Sequence, residues 1–125
     1  MELNHKHRYP WPVIETAILF YVKEKLTYRE VSENMKKIGV NISYKTIGEW
    51  IKKFRNHVNY KNRMEGILYF IEESFVKCNG ENLVMYQALN DKKQIYGIFL
   101  REKRNIMVAK KHFLKTIDLI KMEMK

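Results

Sequence analysis

Apolar residues recur at helical spacing through the first half of this chain and give way to strand-like runs in the second. Between Leu26 and Phe54 the spacing predicts two short helices. Val31, Met35 and Ile38 fall at i, i+4 and i+7, one face of a helix, and Thr27 stands where an N-cap is needed, with Glu30 three residues on to complete a capping box. Gly39 follows the last apolar position, where a helix end favours a residue that tolerates φ > 0, and Val40–Ile42 leads to a second cap at Ser43. Ile47, Trp50, Ile51, Phe54 and Val58 then form the stripe of a second helix whose first turn, Tyr44, Lys45 and Thr46, is expected to face solvent. Two short helices joined by a tight turn, the second with a polar and basic leading edge, describe a helix-turn-helix. The same pattern also fits two amphipathic helices of an ordinary bundle.

Upstream, Pro10 and Pro12 bracket Trp11, and proline is accepted in a first turn but not in a helix interior. Val13–Lys25 reads as a helix with Ile14, Ala17, Ile18 and Tyr21 inward, closing a three-helix domain over residues 1–58. The last of these helices is expected to run on past Phe54 until apolar periodicity fades, with a linker at 59–66. Beyond it, 67–78 is rich in β-branched and aromatic residues, and Asn79-Gly80 is the strongest short hairpin signal, since both residues accept the φ > 0 of a type I′ turn. Asn82–Leu89 is the return strand, Asn90–Lys93 a polar loop and Gln94–Leu100 a third strand. A helix from Ile106 to about Met122, with Ile106, Ala109, Phe113, Ile117 and Ile120 on one face, follows Arg101–Asn105. The predicted fold class is therefore α+β: a three-helix helix-turn-helix domain, then a unit over 67–125 of a three-stranded antiparallel meander plus a helix, its sheet covered on one side.

Charge moves the balance toward the DNA-binding reading of the helix pair. The chain of 125 residues has 24 Lys+Arg against 14 Asp+Glu, and 13 against 6 of these lie in residues 1–64, so +7 of the net +10 belongs to the helical half. Such an excess around a helix pair is the footprint of a phosphate-binding surface. The leading segment, with His5, Lys6, His7 and Arg8, reads as a basic arm lying along DNA. Its His-x-His pair is not accompanied by Cys or carboxylates at ligand spacing, so a metal is not expected there. No apolar run approaches the roughly 20 residues of a membrane span, and no charged-then-apolar leader begins the chain, so a cytoplasmic, nucleoid-associated location is expected. Cys78 is the lone cysteine and reads as a half-buried strand residue.

These pieces, in this order, resemble the transposases of bacterial and archaeal insertion sequences in the IS-six (IS-twenty-six) group, which join a helix-turn-helix to an RNase H-like DDE catalytic domain. The matching residues are Arg8-Tyr9-Pro10, Leu26-Thr27-Tyr28-Arg29-Glu30-Val31, Gly39-Val40, and Ser43 to Ile51 with its Thr46-Ile47 and Trp50. Then come Ile71-Glu72-Glu73-Ser74-Phe75, Lys77, Gly80, Tyr86, Ala88, Leu100, Arg104, Ala109, Phe113 and Leu114. The resemblance implies that the second half is a partial RNase H-like unit.

It also implies a catalytic set of two Asp and one Glu holding two divalent metal ions, with Mg²⁺ the cofactor of an intact member. The first Asp falls at Glu72 here, whose extra methylene displaces the carboxylate, and Asn90 stands where an aspartate often closes the second strand. The remaining two carboxylates belong beyond the last helix, after Lys125, so the expectation is a truncated relative without catalysis and without a cofactor. No GxSxG, glycine-rich phosphate loop, HExxH or Cys/His pair offers another chemistry. By analogy with helix-turn-helix docking, Tyr44, Lys45 and Thr46 are the expected contacts at base edges and Arg29, Lys52 and Lys53 those on phosphate. Glu49 faces the same groove, where many relatives place a basic residue. The expected partner is double-stranded DNA. The alternative is an interaction subunit or inhibitor, pairing with itself or with a full-length transposase through an exposed strand edge.

Overall fold

A computed structural model describes residues 8–58 and 68–116. The expected linker 59–66, the His5–His7 arm and the positions of Ile117 and Ile120 lie outside the described residues. The described chain is α+β, with three helices, then three strands and a fourth helix. It divides into two compact units: one takes in the first three helices together with residues 77–81 of the hairpin, the other residues 68–76 and 82–116.

The first unit holds α1 (Trp11–Glu24), α2 (Tyr28–Lys37) and α3 (Tyr44–Phe54). α1 begins at Trp11 rather than Val13, because Pro12, with its fixed φ and missing N–H, is accommodated in the first turn. Its inner side is wider than the four-residue stripe expected. Val13 and Thr16 are buried beside Ile14, Ala17 and Ile18, and the Thr16 hydroxyl is satisfied by donating to the Pro12 carbonyl at 2.7 Å. The capping box of α2 is present in both directions: Glu30 N donates to Thr27 Oγ1 at 3.1 Å and Thr27 N donates to Glu30 Oε1 at 2.9 Å.

The joint between α2 and α3 runs over residues 38–43 and is longer than a minimal helix-turn-helix turn. Gly39 takes φ 98°, its N–H donates to Lys36 O at 3.1 Å and the Val40 N–H to Met35 O at 3.0 Å, the paired bonds of a Schellman motif. Val40 and Ile42 are then buried, and Ser32 Oγ donates to Ile42 O at 2.5 Å, tying α2 to the outgoing strand of the joint. Ser43 caps α3 by accepting from Thr46 N at 3.2 Å. α3 does not run on through the basic stretch as expected. It ends at Phe54 and tightens into a single 3-10 turn, Arg55–His57, after which Val58 is extended and buried.

The second unit contains most of β1 (Leu68–Cys78) and β2 (Glu81–Asn90), with all of β3 (Ile95–Arg101) and α4 (Ile106–Thr116). The sheet order is β1-β2-β3, antiparallel between β2 and β3, so among the described residues β1 is an edge. Asn79 and Gly80 both have positive φ, 52° and 85°, as the type I′ hairpin requires. Asn90 is fully buried and closes the next turn, its Oδ1 accepting from Lys92 N and Gln94 N at 2.9 and 2.8 Å while its Nδ2 donates to Gln94 Oε1 at 2.8 Å. The side chain at this position is thus committed to the turn.

β2 and β3 are not covered on one side only: Leu83–Tyr86, Ala88–Asn90 and Ile98–Leu100 are buried at consecutive positions, so both faces are shielded. The continuous apolar runs Leu83-Val84-Met85 and Ile98-Phe99-Leu100, in place of alternation, are the mark of such strands. α4 packs on β3 through Phe113, which lies against Gly97, and His112, which stacks on Phe99 at 4.4 Å. Ala109 and Phe113 face inward as expected, whereas Ile106 is exposed at the first turn.

Candidate nucleic-acid interface

α3 owes its two faces to spacing alone. Ile47, Trp50, Ile51 and Phe54 are buried, and the opposite side carries Lys45, Glu49 and Lys52 at i, i+4 and i+7 with Lys53 beside them, all exposed. The aromatic core fixes which side this is: Tyr9 meets Trp50 edge-on at 5.1 Å and Trp11 meets Phe54 at 5.8 Å. Over residues 8–58 there are ten Lys and Arg against five Glu, and with the exception of the half-buried Glu15 these charges lie on the surface.

The expected base-edge residues divide by exposure. Lys45 projects freely, while Tyr44 and Thr46 are half-buried, the Thr46 hydroxyl lying 3.1 Å from that of Ser43. Tyr44 supports a cation: the Arg29 guanidinium lies 4.0 Å from its ring centroid. Glu49 sits between Lys45 on one side and Lys52 and Lys53 on the other, so its negative charge is surrounded on the helix surface by three positive ones. The seven residues expected at the interface, Arg29, Tyr44, Lys45, Thr46, Glu49, Lys52 and Lys53, therefore gather on α3 and the start of α2.

A second group lies along the flank of α3. Tyr28 packs against Gly48 so closely that a Cβ on that glycine would sit 2.8 Å from Tyr28 Cε2. The Tyr21 ring is 5.3 Å from that of Tyr28, and the Arg55 guanidinium lies 5.8 Å from the Tyr21 centroid. Arg55 falls just past Phe54, in the stretch over which the sequence predicts a fading helix and no contact. The one available signal was Gly48, a glycine inside a helix marking close approach of another element.

The carboxylates of β1 separate clearly. Glu72, the counterpart of the first catalytic Asp, is exposed, whereas Glu73 is half-buried and paired with Arg104 Nε at 3.0 Å. The Tyr86 hydroxyl, fully buried, donates to Glu73 and accepts from Asn105 N at 2.7 Å. Those hydrogen bonds from Tyr86 and Arg104 hold the Glu73 carboxyl below its ordinary range. Asn105 in turn caps α4, its Oδ1 accepting from Val108 N at 3.2 Å. Alternation along the strand allowed either glutamate to face inward, and tertiary partners select Glu73. Among the described residues no three His, Cys, Asp or Glu are grouped to hold a metal ion, and no helix is long and apolar enough to cross a membrane. Cys78 is buried, not half-buried, and burial with the neighbouring Glu81 raises its thiol to about 11.

Comparison of the chain with protein-family models, with curated proteins and with solved structures gives no match.

Proposed function

We propose that this chain binds double-stranded DNA by inserting the exposed face of α3 into the major groove, and that it is related by descent to insertion-sequence transposases, its sheet and α4 forming a partial RNase H-like unit. The observation that carries the reading is the face itself. Lys45, Lys52 and Lys53 project from a helix whose start, joint and inner side are each fixed by hydrogen bonds or packing, next to an arginine laid on Tyr44. A helix held in this way presents cations to phosphates with little further ordering. The catalytic side of the resemblance contributes nothing to the proposal: Glu72 is exposed, and Glu73 beside it is engaged by Tyr86 and Arg104.

Fluorescence anisotropy with labelled duplex DNA over a range of salt tests this reading. Each phosphate contact contributes a slope of about 0.9 in log K against log salt, so Lys45→Ala with Lys52→Ala should weaken binding and flatten its salt dependence, the Lys52 contact alone accounting for about 0.9 of the slope and roughly eight-fold in affinity at 0.1 M salt. Wild-type chain that shows no salt-dependent binding to any duplex would sink the reading.

One observation favours a second activity, self-association. β1 is an edge strand carrying Phe70 and Phe75, the latter 72% exposed, and an exposed edge with apolar side chains is a template for pairing with a second copy of the same strand. Phe75→Pro removes a ladder donor. It is expected to shift a dimer to monomer in sedimentation while the helical CD signal stays, and a wild-type chain that is monomeric at high concentration rules the pairing out.

A further inference from the structure

We propose that Arg29 and Arg55 form a phosphate-binding rail along one flank of α3, holding the backbone of a single DNA strand while the lysines of α3 face the groove. Resting on the DNA-binding reading above, this assigns a contact to Arg55 and a positioning role to Tyr21.

The rail follows from helix geometry. At 3.6 residues per turn, positions 44, 48 and 55 fall within about 40° of one another, roughly a quarter-turn from the stripe of positions 45, 49 and 52. Phe54 departs from helical angles, with φ −118° and ψ 0°, but the Arg55 N–H still donates to the Ile51 carbonyl in the i→i−4 pattern, so this spacing holds approximately as far as Arg55. From Tyr44 to Arg55 the rise is about 16 Å, enough for more than one phosphate of a strand. Tyrosines line this side throughout: Tyr44 under Arg29 at the start, Tyr28 against Gly48 in the middle, and Tyr21 beside Arg55 at the end.

The chemistry suits phosphate. The Arg29 guanidinium, 4.0 Å from the Tyr44 centroid, is at stacking distance, which leaves its in-plane N–H donors to meet two phosphate oxygens together, and Arg55 carries the same donors 5.8 Å from the Tyr21 centroid. The ring also narrows the conformations of a long side chain, which lowers the entropy lost on binding. Among the described residues neither guanidinium is paired with a carboxylate.

The test compares wild type, Arg55→Ala, Tyr21→Leu and the Lys45→Ala/Lys52→Ala double variant by anisotropy on two duplexes of unrelated sequence. Arg55→Ala, at an exposed position, is expected to reduce the salt slope by about 0.9 and the affinity at 0.1 M salt by about eight-fold, equally on both duplexes. Tyr21→Leu should weaken binding while the salt slope stays, since the charge remains and only its placement is lost. Loss of binding in the lysine double variant with Arg55→Ala unchanged in both affinity and slope overturns the rail and leaves the DNA-binding reading intact. Absence of salt-dependent binding by wild type overturns both.

Discussion

Gly48→Ala sets two effects of similar size against each other at the contact between α2 and α3. In a helix interior alanine is favoured over glycine by about 1 kcal/mol. The new Cβ would lie 2.8 Å from Tyr28 Cε2 and 3.1 Å from Cδ2, whereas carbon atoms in contact rest about 3.5–4.0 Å apart. The Tyr28 ring must therefore retreat by ~0.7 Å or more. It has little room: Tyr28 is the first residue of α2, its backbone lies within the Thr27–Glu30 capping box, and its ring meets Tyr21 at 5.3 Å. Forcing a methyl into such packing costs about 1–3 kcal/mol. The clash wins, and Gly48→Ala is expected to destabilise the helical unit by about 1 kcal/mol, lowering its Tm by roughly 4–8 °C.

Removing the obstacle should reverse the sign. In a Tyr28→Ala background the propensity term stands alone, so Gly48→Ala should stabilise by about 1 kcal/mol, giving a coupling of roughly 2 kcal/mol between the two positions. The assay is direct because both tryptophans of the chain, Trp11 and Trp50, lie in the helical unit, and Trp50 is only 1% exposed. Urea melts followed by tryptophan fluorescence thus report that unit. A stabilising Gly48→Ala in the wild-type background would refute the reasoning, because it would mean that the Tyr28 ring swings aside at no cost.

Further outcomes concern Cys78 and Tyr86, both buried. With its thiol raised to about 11, Cys78 should react with iodoacetamide at pH 8 on the order of 100-fold more slowly in the folded chain than in urea; equal rates would show that the hairpin end is open. Tyr86→Phe removes the acceptor of the Asn105 N–H, which is expected to cost about 1 kcal/mol and to speed amide exchange in the first turn of α4. The variant also removes the hydrogen bond that contributes most to the lowered pKa of Glu73. A depressed carboxyl stabilises the fold above its unfolded pKa and loses that contribution as pH falls through its folded value. Acid unfolding of the sheet unit should accordingly become less steep in Tyr86→Phe, and an unchanged profile would assign the dependence to other groups.

What the sequence made legible was local chemistry. Thr27 with Glu30 and Ser43 with Thr46 are satisfied within a few residues of themselves, and Asn79 with Gly80 needs only the positive φ that both adopt, so their roles followed from spacing, and each occurs where expected. The exposed stripe of α3 followed in the same way, from the period of its apolar partners. What stayed hidden depends on residues far apart in sequence. Nothing near Phe54 announces the end of α3, because the basic residues after it are acceptable helix formers. The choice of Glu73 over Glu72 as the inward carboxylate depends on Tyr86 and Arg104, 13 and 31 positions away. The pairing of Arg55 with Tyr21 crosses from the end of α3 back to α1.

Ser32 shows how local and distant chemistry meet at the site. As a residue in the middle of a short helix it has indifferent propensity, and its spacing says only that it is partly exposed. Its hydroxyl nevertheless holds the Ile42 carbonyl, one residue before the cap of α3. The Schellman turn fixes how the chain leaves α2, Ser32 fixes where it arrives, and Tyr28 against Gly48 fixes how closely α3 lies. These ties act at separate points along the path, so α3 cannot rotate about its axis without breaking at least one of them. The lysines on its outer face need no order of their own for that reason. They stand exposed on a fixed support, which suits contacts to a phosphate backbone better than the reading of any one base edge.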